Sequence, residues 1–363
     1  MYKQLLLPAL QVMGAEQAHH LALVALQIAQ SRPIALKALA GRHRVEDPRL
    51  EVEALGLRFP NPIGVAAGFD KNAVAARALS ALGFGHLEVG TVTPLAQPGK
   101  PRPRLFRLSQ DAGLINRLGF PNEGMASIGK RLQGLRKPDF VLGVNIGPNA
   151  ASVAAGREVD DYVACFRQLQ AYADYIAVNV SSPNTAGLRN LQAKQALGGL
   201  LAALDEAAAA VRSTRPLLLK LSPDLTYAEL GDALEVVSAH RVAGVIACNT
   251  TVERPAGLTS AAKVEAGGLS GAPLRARSTD MIRTIASLTA GKLPIIGVGG
   301  IVTVEDVIDK LAAGAALVQL YTGMIFEGPS IAGKINRGLL RYLERHGLKS
   351  VQEIIGTRRG SAS

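Results

Sequence analysis

The chain has 363 residues, of which 48% are hydrophobic and 19% charged, so it can bury a large core and is not a disordered protein. Its formal net charge of +11 suits nucleic acid, an anionic membrane or an anionic small molecule, and charge alone does not choose among them. Trp is absent and aromatic residues make up 4%, which argues against the stacking surfaces that bind single-stranded nucleic acid.

The two cysteines provide neither a disulfide framework nor a cysteine-ligated cluster, and they indicate a reducing compartment. No apolar run approaches the roughly 18 residues of a membrane-spanning helix. The apolar run at 5–10 is short for a signal-peptide core, and no small-residue cleavage site clearly follows it. The sequence therefore predicts a bacterial cytoplasmic protein, and one that could touch a membrane surface.

Residues 1–44 are predicted to form a separate N-terminal region, in which five basic residues accompany one acid. Its apolar residues fall on two helical faces separated by Gly14. They are Leu6, Leu10 and Met13 on the first face, and Leu21, Val24, Ala25 and Ile28 on the second. Two short amphipathic helices with a basic excess suit a membrane surface, and the alternative is a helix pair packed on the main domain. Pro33 is predicted to end the second helix, and 41–49 to form a polar linker.

Residues 50–58 alternate loosely between apolar and polar, which predicts a hairpin that turns at 60–62 and closes the bottom of a barrel. Eight apolar, strand-like runs then follow, at 63–67, 86–92, 141–146, 175–180, 217–221, 245–249, 294–298 and 317–321. Segments of helical period lie between most of them, at 72–82, 122–136, 226–240 and 303–313. Eight strands alternating with helices predict an α/β fold, a (β/α)8 TIM barrel of parallel strands.

Polar or glycine-rich residues follow each of the eight strands, at 68–71, 90–93, 145–147, 179–182, 220–222, 249–251, 297–300 and 321–323. All of these endings lie on one rim of a barrel, where such folds carry their sites. The richest ending is 179–185, with Asn179, Ser181, Ser182, Asn184 and Thr185, although alone it could be a turn that caps a helix. Lysines that emerge from apolar strands need a partner, which favours an anionic ligand.

The endings of the last two strands, 297–301 and 321–323, resemble a phosphate site, because glycines let backbone N–H groups approach an anion. The chain has no Walker A motif and no dinucleotide fingerprint after a first strand. A mononucleotide therefore fits better than NAD or ATP, and FMN fits best because Lys220 could stabilise a reduced isoalloxazine ring. The six histidines are scattered and predict no metal site.

Together, the motifs resemble the dihydroorotate dehydrogenase family, in its membrane-associated, quinone-dependent class 2, over nearly the whole chain. The motifs that carry the resemblance are Ala-Ala-Gly-Phe-Asp-Lys-Asn at 66–72, Gly-Thr-Val-Thr-Pro at 90–94, Lys-Pro-Arg-Pro-Arg-Leu-Phe-Arg-Leu at 100–108, Ile-Asn-Arg-Leu-Gly-Phe-Pro-Asn at 115–122, Asn-Val-Ser-Ser-Pro-Asn-Thr at 179–185, Asn-Thr-Thr at 249–251, Gly-Gly-Leu-Ser-Gly at 267–271 and Tyr-Thr-Gly at 321–323.

The resemblance implies that an FMN-containing barrel oxidises (S)-dihydroorotate to orotate in pyrimidine synthesis and passes the electrons to ubiquinone or menaquinone. Ser182 would be the catalytic base, which removes the C5 proton. The implied substrate-binding residues are Lys71, Asn116, Arg117, Leu118, Gly119, Phe120, Asn179, Asn184, Asn249 and Thr250. The implied FMN-binding residues are Ala67, Gly68, Phe69, Asp70, Lys71, Thr91, Asn145, Asn179, Lys220, Cys248, Gly271, Gly300, Tyr321 and Thr322. The implied quinone tunnel contains Gln11, His19, Arg107 and Tyr321.

Two details refine the resemblance. The soluble members of the wider family place a cysteine at the position of Ser182, so serine indicates the quinone class. Cys248 stands where relatives usually carry threonine or serine, so a hydroxyl donor would become a weak thiol donor toward FMN.

Other FMN barrels, such as a dihydrouridine synthase or a 2-hydroxyacid oxidase, fit less well because the rim carries Asn and Ser rather than a catalytic His. From another class, a basic membrane- or nucleic-acid-binding protein could use an inactive barrel.

The resulting prediction divides the chain into a helical quinone-access region at 1–44, a catalytic barrel at 45–356 and a disordered tail at 357–363. The protein would be a monomer, peripheral to the cytoplasmic side of the bacterial inner membrane. It would contact dihydroorotate, a quinone and the membrane surface, and no nucleic acid.

Overall fold

The structure, a computed structural model, describes residues 2–135 and 140–359. Its strands are β1 Val52–Ala54, β2 Leu57–Phe59, β3 Ile63–Val65, β4 His86–Val92, β5 Leu105–Leu108, β6 Gly113–Asn116, β7 Val141–Ile146, β8 Tyr175–Asn179, β9 Leu217–Leu221, β10 Val242–Ala247, β11 Gly268–Gly271, β12 Ile295–Val298 and β13 Leu317–Leu320. Its α-helices are α1 Leu7–Val12, α2 Ala15–Gln30, α3 Pro33–His43, α4 Ala76–Ala81, α5 Gly124–Gln133, α6 Ala150–Ala154, α7 Glu158–Leu169, α8 Lys194–Ala210, α9 Tyr227–Ala239, α10 Arg275–Leu288, α11 Val304–Ala313, α12 Thr322–Glu327 and α13 Ile331–His346.

Eight parallel strands close into a barrel in the order β3-β4-β7-β8-β9-β10-β12-β13, and β13 pairs with β3. These strands are runs of Val, Ile and Leu that are buried on both faces, since the outer helices cover the barrel and side chains fill its interior. The predicted (β/α)8 fold is therefore confirmed. Each of the eight predicted runs overlaps its strand, and the polar residues that follow lie at one end of the barrel.

The hairpin before the barrel is confirmed, but its predicted turn is wrong. β1 pairs antiparallel with β2, and the chain turns at Leu55 and Gly56, both of which have a positive φ. A glycine in this left-handed conformation supports a tight turn, whereas the prolines at 60 and 62 only lead into β3.

A three-stranded antiparallel sheet, in the order β11-β6-β5, was not anticipated from the sequence. Its strands are excursions from the barrel, after β4 and after β10. A small apolar cluster lies on this sheet and contains Leu108, Ile115, Leu258 and Leu269. Each of these strands has only four residues, so apolar–polar alternation gives little signal for a strand there.

The N-terminal region contains one more helix than predicted. α2 ends at Gln30, as the Arg-Pro pair predicts, but Pro33 then begins α3 because proline is well tolerated at the first position of a helix. The predicted linker at 41–49 therefore begins as helix. α3 packs against α4 and α13, while α2 packs against α4 and β5. Among the described residues, no helix is both long and apolar enough to cross a membrane.

The first residues of the predicted disordered tail are held against the barrel. The N–H of Gly356 donates to the carbonyl of Leu311 at 2.8 Å, and the N–H of Arg358 donates to the carbonyl of Ala312 at 2.8 Å. Residues 357–359 are thus part of the fold, which corrects the prediction for them. The rest of that tail, like residue 136 of the predicted helix at 122–136, lies outside the described residues.

Candidate active site

One deep cleft opens at the carboxyl end of the barrel strands, and its empty volume, counted to the mouth, is about 1050 Å³. It therefore lies where barrels of this architecture carry their sites. The predicted residues that line it are Ala67, Gly68, Lys71, Thr91, Asn116, Leu118, Gly119, Phe120, Asn179, Ser182, Asn184, Lys220, Cys248, Asn249, Thr250, Gly271, Gly300, Tyr321 and Thr322.

The floor of the cleft is a chain of buried hydrogen bonds among polar side chains at the ends of neighbouring strands. Thr91 Oγ1 donates to Asn145 Oδ1 at 2.6 Å, and Asn179 Nδ2 donates to Thr91 Oγ1 at 2.9 Å. Asn249 Nδ2 donates to Asn179 Oδ1 at 3.2 Å. Because each amide has fixed partners, its remaining donor and acceptor positions are fixed as well.

One wall carries Ser182, whose side chain is buried at the edge of the cleft. The N–H of Asn184 donates to Ser182 Oγ at 3.3 Å, and Asn184 Nδ2 donates to Asn116 Oδ1 at 3.0 Å. Asn116 ends β6, so the excursion sheet brings an amide across the cleft toward the strand end of β8. Thr250 lies beside them, and its N–H donates to Asn249 Oδ1 at 2.8 Å. The wall therefore presents the hydroxyls of Ser182 and Thr250 among several oriented amides.

The opposite wall is made of glycine-rich backbone. Gly299 and Gly300 have φ values of 124° and 72°, which side-chain-bearing residues rarely adopt. A Cβ on Gly300 would lie 2.4 Å from the Cα of Arg275, and one on Gly323 would lie 2.1 Å from the carbonyl oxygen of Ile301. These positions require glycine, because a side chain would clash with the neighbouring backbone. Both Gly300 and Gly323 line the cleft, and glycine-rich backbone of this kind is suited to binding an anionic group.

Lys71 brings a positive charge to the cleft. Burial lowers the pKa of its ammonium to about 8, with a further lowering from Arg104 and an opposing contribution from Glu16. Its Nζ donates to the carbonyl of Gly68. An ammonium so poorly solvated gains more than an exposed one from an anionic ligand.

A second cleft, with an empty volume of about 1290 Å³, lies between the N-terminal helices and the barrel. His19 on α2 packs edge-on against Phe69 with ring centroids 5.0 Å apart and stacks on Tyr321 at 6.2 Å. Burial lowers the pKa of His19 to about 3, so the imidazole is neutral at physiological pH. Lys71 and Tyr321 line both clefts, so a thin wall separates the second cleft from the first.

Comparisons with known proteins identify the family to which this barrel belongs. The family model described as Dihydroorotate dehydrogenase matches residues 49–343. The dihydroorotate dehydrogenase (quinone) of Halobacterium salinarum is 48% identical over 352 residues, which are 97% of this chain and 98% of that protein. The protein with the same description from Natronomonas pharaonis is 50% identical over 355 residues, with the same coverage. This chain belongs to the dihydroorotate dehydrogenase family, in its quinone-dependent class.

Solved structures of the family are similar throughout. The crystal structure of the Eimeria tenella dihydroorotate dehydrogenase in complex with ferulenol superimposes with a TM-score of 0.83 and 37% identity, and the match covers 90% of this chain and 94% of that one. The ligand-free structure from the same organism gives 0.82 and 38%. The family's reaction belongs to pyrimidine biosynthesis and implies a flavin cofactor, so the chain is an oxidoreductase.

Several residues predicted for the site lie away from the main cleft of this dehydrogenase. Arg117 pairs with Glu265 at 2.7 Å and lies over the ring of Phe106, 4.5 Å from its centroid. The carboxylate of Asp70 is buried and accepts the N–H groups of Val74 and Ala75 at 2.9 and 2.8 Å. These contacts tie the charged groups of Arg117 and Asp70 to neighbouring parts of the protein.

Other predicted residues lie behind the main cleft or beside it. Asn145 lies behind Thr91, and Phe69 and His19 line the second cleft. Arg107 donates to the carbonyl of Met13 at 2.7 Å, while Gln11 is exposed on α1 and is not among the residues lining either cleft.

Cys248 lies in the wall of the main cleft, as the resemblance predicts. It is almost fully buried, and burial raises the pKa of its thiol to about 12. The thiol is therefore protonated at neutral pH and is not a reactive nucleophile.

Two groups of site residues were missed. Leu105, Leu114 and Ser270 form part of the cleft wall because the unanticipated sheet brings them there, and Leu274 follows in the turn after β11. Below the floor lies Glu88, a fully buried carboxylate 3.2 Å from the ammonium of Lys220. Its position inside an apolar strand, between Leu87 and Val89, was the signal that could have revealed it, because a buried charge needs a partner.

Proposed function

We propose that this chain oxidises (S)-dihydroorotate to orotate with FMN as its flavin and Ser182 as its base. We further propose that it passes the electrons to ubiquinone or menaquinone at the cell membrane. The arrangement that carries the proposal is the position of Ser182, which shares one cleft with Lys71, with the amides of the strand ends and with the glycine-rich wall. The N-terminal quinone-access region at 1–44, the catalytic barrel at 45–356 and a monomeric state belong to the same proposal.

The residues present fit FMN. The phosphate would approach the backbone at Gly300, which has a positive φ and no Cβ, and at Thr322, the first residue of α12. Tyr321 Oη is buried and has no hydrogen-bond partner among the described residues, so a bound group could satisfy it. Lys220 supplies a buried cation, and Thr91 supplies a hydroxyl on the cleft floor.

When bound, FMN accepts the hydride from C6 of the substrate and supplies the electrons for the quinone. The chain itself binds and orients the substrate. Lys71 would hold its carboxylate, and Asn116, Asn184 and Asn249 would hydrogen-bond its ring amides. The hydrogen bonds of Asn184 to Asn116 and of Asn249 to Asn179 restrict these amides to one orientation, which favours a single pose for the substrate.

Ser182 would accept the C5 proton on its oxygen while its own hydroxyl proton passes to solvent water. A serine without a neighbouring histidine is a weak base, and burial alone does not activate it. The positive charges of Lys71 and Lys220 line the same cleft and would favour negative charge there when the proton leaves. The observed hydrogen bond from the N–H of Asn184 to Ser182 Oγ would also stabilise a developing alkoxide.

The direct test of the proposed function is anaerobic reduction by substrate. The purified protein is expected to be yellow, to release FMN on denaturation, and to lose its visible flavin absorbance when dihydroorotate is added without oxygen. Subsequent addition of a short-chain quinone should restore the colour. A protein that carries FMN but is not reduced by dihydroorotate would contradict the proposal, as would a colourless protein that does not take up added FMN.

Orotate affinity is expected to fall above about pH 8. The sign follows from Lys71, whose pKa is lowered to about 8, so that it is charged below this pH and loses its charge above it. Loss of this charge should raise the dissociation constant of orotate by up to roughly tenfold per pH unit. Absorbance titrations of the oxidised flavoprotein between pH 6.5 and 9 measure it.

Lys71→Arg is the matched control for this pH dependence, because a guanidinium stays charged over the whole range. Its orotate dissociation constant is expected to remain level above pH 8, whatever its absolute value. His19 and Cys248, with pKa values of about 3 and about 12, do not titrate in this window. A level profile in the unmodified protein would contradict the assignment of Lys71 to the substrate carboxylate.

The proposed membrane contact is supported by apolar side chains exposed on the N-terminal helices. Val12 on α1 is 90% exposed and Ile34 on α3 is 87% exposed. Exposed apolar side chains of this kind suit a helix that lies at the interface of a membrane and does not span it. We place this surface on the cytoplasmic side of the cell membrane as part of the proposal.

Val12→Glu and Ile34→Glu are each expected to weaken binding to anionic lipid vesicles by roughly tenfold or more, since burying such a side chain is worth about 1.5–3 kcal/mol. Co-sedimentation with phosphatidylglycerol and phosphatidylethanolamine vesicles measures this partitioning. Tyr227→Glu is the control, because Tyr227 is 70% exposed and lies on α9, at the outer surface of the barrel. An equal loss in all three variants would contradict the assignment of the membrane surface to the N-terminal helices.

A further inference from the structure

The interior of the barrel, directly below the cleft, contains a fully buried carboxylate with four hydrogen-bond donors. Glu88 Oε1 accepts from Asn145 Nδ2 at 2.8 Å and from Lys220 Nζ at 3.2 Å. Glu88 Oε2 accepts from Gln319 Nε2 at 2.9 Å and from Tyr175 Oη at 3.2 Å. The donors come from four other strands, so the carboxylate is held from several sides at once.

Two of these donors connect Glu88 to the cleft. The side chain of Lys220 is only 5% exposed, and Lys220 lines the cleft while its ammonium contacts Glu88. Asn145 donates to Glu88 with Nδ2 and accepts from Thr91 and Asn179 with Oδ1. An amide with partners on both atoms has a fixed orientation, so Glu88 also determines which atom of Asn145 faces the floor.

An ammonium in this place depends on its counter-ion. A buried lysine that loses its partner leaves an uncompensated charge in a poorly solvated interior, which is strongly unfavourable. Such a lysine releases its proton instead, and shifts of about 3–5 pH units are known for fully buried groups. A neutral amine at this position would no longer stabilise negative charge in the cleft.

We propose that Glu88 is a positioning residue of the flavin site, which keeps Lys220 charged and directed at the cleft and fixes the amide of Asn145 beneath it. The proposal rests on the FMN site proposed above. The ammonium of Lys220 would then stabilise the anionic form of a reduced isoalloxazine. Glu88 touches neither substrate nor cofactor and acts through Lys220 and Asn145.

Lys71, in the same cleft, and Lys310, near Cys248, have pKa values lowered to about 8 by burial, so they titrate in the unmodified protein and in the variant alike. Three further groups around Lys220 do not change charge between pH 6 and 9. Tyr175, on the neighbouring strand β8, has a pKa raised well above its usual value by burial. Cys248 follows β10 on the other side, and burial raises its pKa to about 12. His86, two residues before Glu88, has a pKa lowered to about 3 by burial and is neutral throughout. A pH dependence that appears in a Glu88 variant and is absent from the unmodified protein would therefore report on Lys220.

Glu88→Gln tests the proposal because it removes the charge and keeps most hydrogen bonds. The new amide oxygen can accept from Asn145 or Lys220. The new NH₂ group can donate to Gln319, whose Oε1 lacks a partner among the described residues, once that amide rotates. In this variant Lys220 is expected to give up its proton between about pH 6 and pH 9.

The readout is the sulfite dissociation constant of the oxidised FMN protein, because the sulfite adduct carries negative charge and binds more tightly beside a cation. Each value is divided by that of the unmodified protein at the same pH, which cancels the titration of sulfite itself. For Glu88→Gln the ratio is expected to be at or below one at pH 6 and to rise by pH 9 toward that of the double variant Glu88→Gln/Lys220→Gln. For the double variant, which carries neither charge, the ratio is expected to be raised and independent of pH.

A ratio for Glu88→Gln that does not vary with pH would overturn the proposal and leave Glu88 a part of the barrel core. If this variant is not recovered with stoichiometric FMN, Glu88→Asp takes its place. This variant keeps the negative charge but, with a side chain one methylene shorter, holds it farther from Lys220. It should show the same rise at a higher pH, and no rise would again overturn the proposal. Failure of the unmodified protein to bind FMN would instead refute the proposed function, so the two failures are distinguishable.

Discussion

Replacing Ser182 with alanine is expected to slow the reduction of bound flavin by dihydroorotate by roughly 100- to 10,000-fold, the range typical of a lost general base. The methyl side chain cannot accept the C5 proton, whereas the amides that orient the substrate remain. Orotate affinity and FMN content should therefore change little. Anaerobic stopped-flow measurement of flavin bleaching isolates this half-reaction from the later reaction with quinone.

Ser182→Cys is the informative companion variant. A thiol has a lower pKa than a hydroxyl, so this variant should recover part of the rate, and its rate should level off at a lower pH than that of the serine enzyme. If Ser182→Ala reduced its flavin at a near-normal rate, the base would have to be another group. If Ser182→Cys were as slow as the alanine variant, a proton-accepting role for this side chain would also be in doubt.

The parts of the fold that the sequence predicted well are those where one physical signal dominates. The barrel strands are buried on both faces, so they are continuous apolar runs such as Val141–Ile146 and Leu217–Leu221, whose bounds were predicted to the residue. The polar strand ends were predicted for a similar reason, because Asn179 and Lys220 contrast with the apolar residues before them. Long-range pairing is invisible to such local patterns, which is why the sheet of β5, β6 and β11 was missed.

The residues of the site divide in the same way, into those that local motifs predict and those that depend on long-range contacts. The resemblance supplied most of the residues that line the cleft. It also assigned Asp70 and Arg117 to ligands, which stays a prediction, and in the structure their charged groups have protein partners. Asp70 caps the N–H groups of the following turn, and Arg117 pairs with Glu265. Glu88 was missed because its significance depends on a lysine 132 positions away in sequence. Such a contact becomes visible only once the barrel is closed.

Removal of residues 2–31 is expected to reduce turnover with a long-chain quinone to the background rate, while turnover with a small soluble dye persists. This deletion removes His19 and Glu16, and with them the helical wall of the second cleft. It keeps α3, because the carbonyl of His43 packs closely against Gly83 and Gly333 and anchors that helix to the barrel. Steady-state assays with both acceptors on the same preparation measure the difference.

The deletion uncovers the part of the core against which Leu23 and Leu26 pack, so the melting temperature is expected to fall. The barrel should still fold, because Arg104 loses its 2.7 Å ion pair with Glu16 but its Nη1 still donates to the carbonyls of Pro98 and Lys100. Unchanged FMN content and orotate affinity would verify this. Retained quinone turnover in the truncated protein would exclude the N-terminal helices as the quinone path.

His19→Trp separates access from stability, since it leaves the helices in place and adds bulk where the imidazole packs between Phe69 and Tyr321. This variant should bind membranes normally and reduce the soluble dye normally, but it should show a raised KM for the long-chain quinone. A normal KM, in a protein that still binds vesicles, would mean that the quinone reaches the flavin by a route that does not pass His19. Substrate oxidation and quinone reduction would then have to share the mouth of the main cleft, and orotate would compete with the quinone. Competition between orotate and quinone in steady-state kinetics is therefore the sharpest sign against a separate quinone entrance at the N-terminal helices.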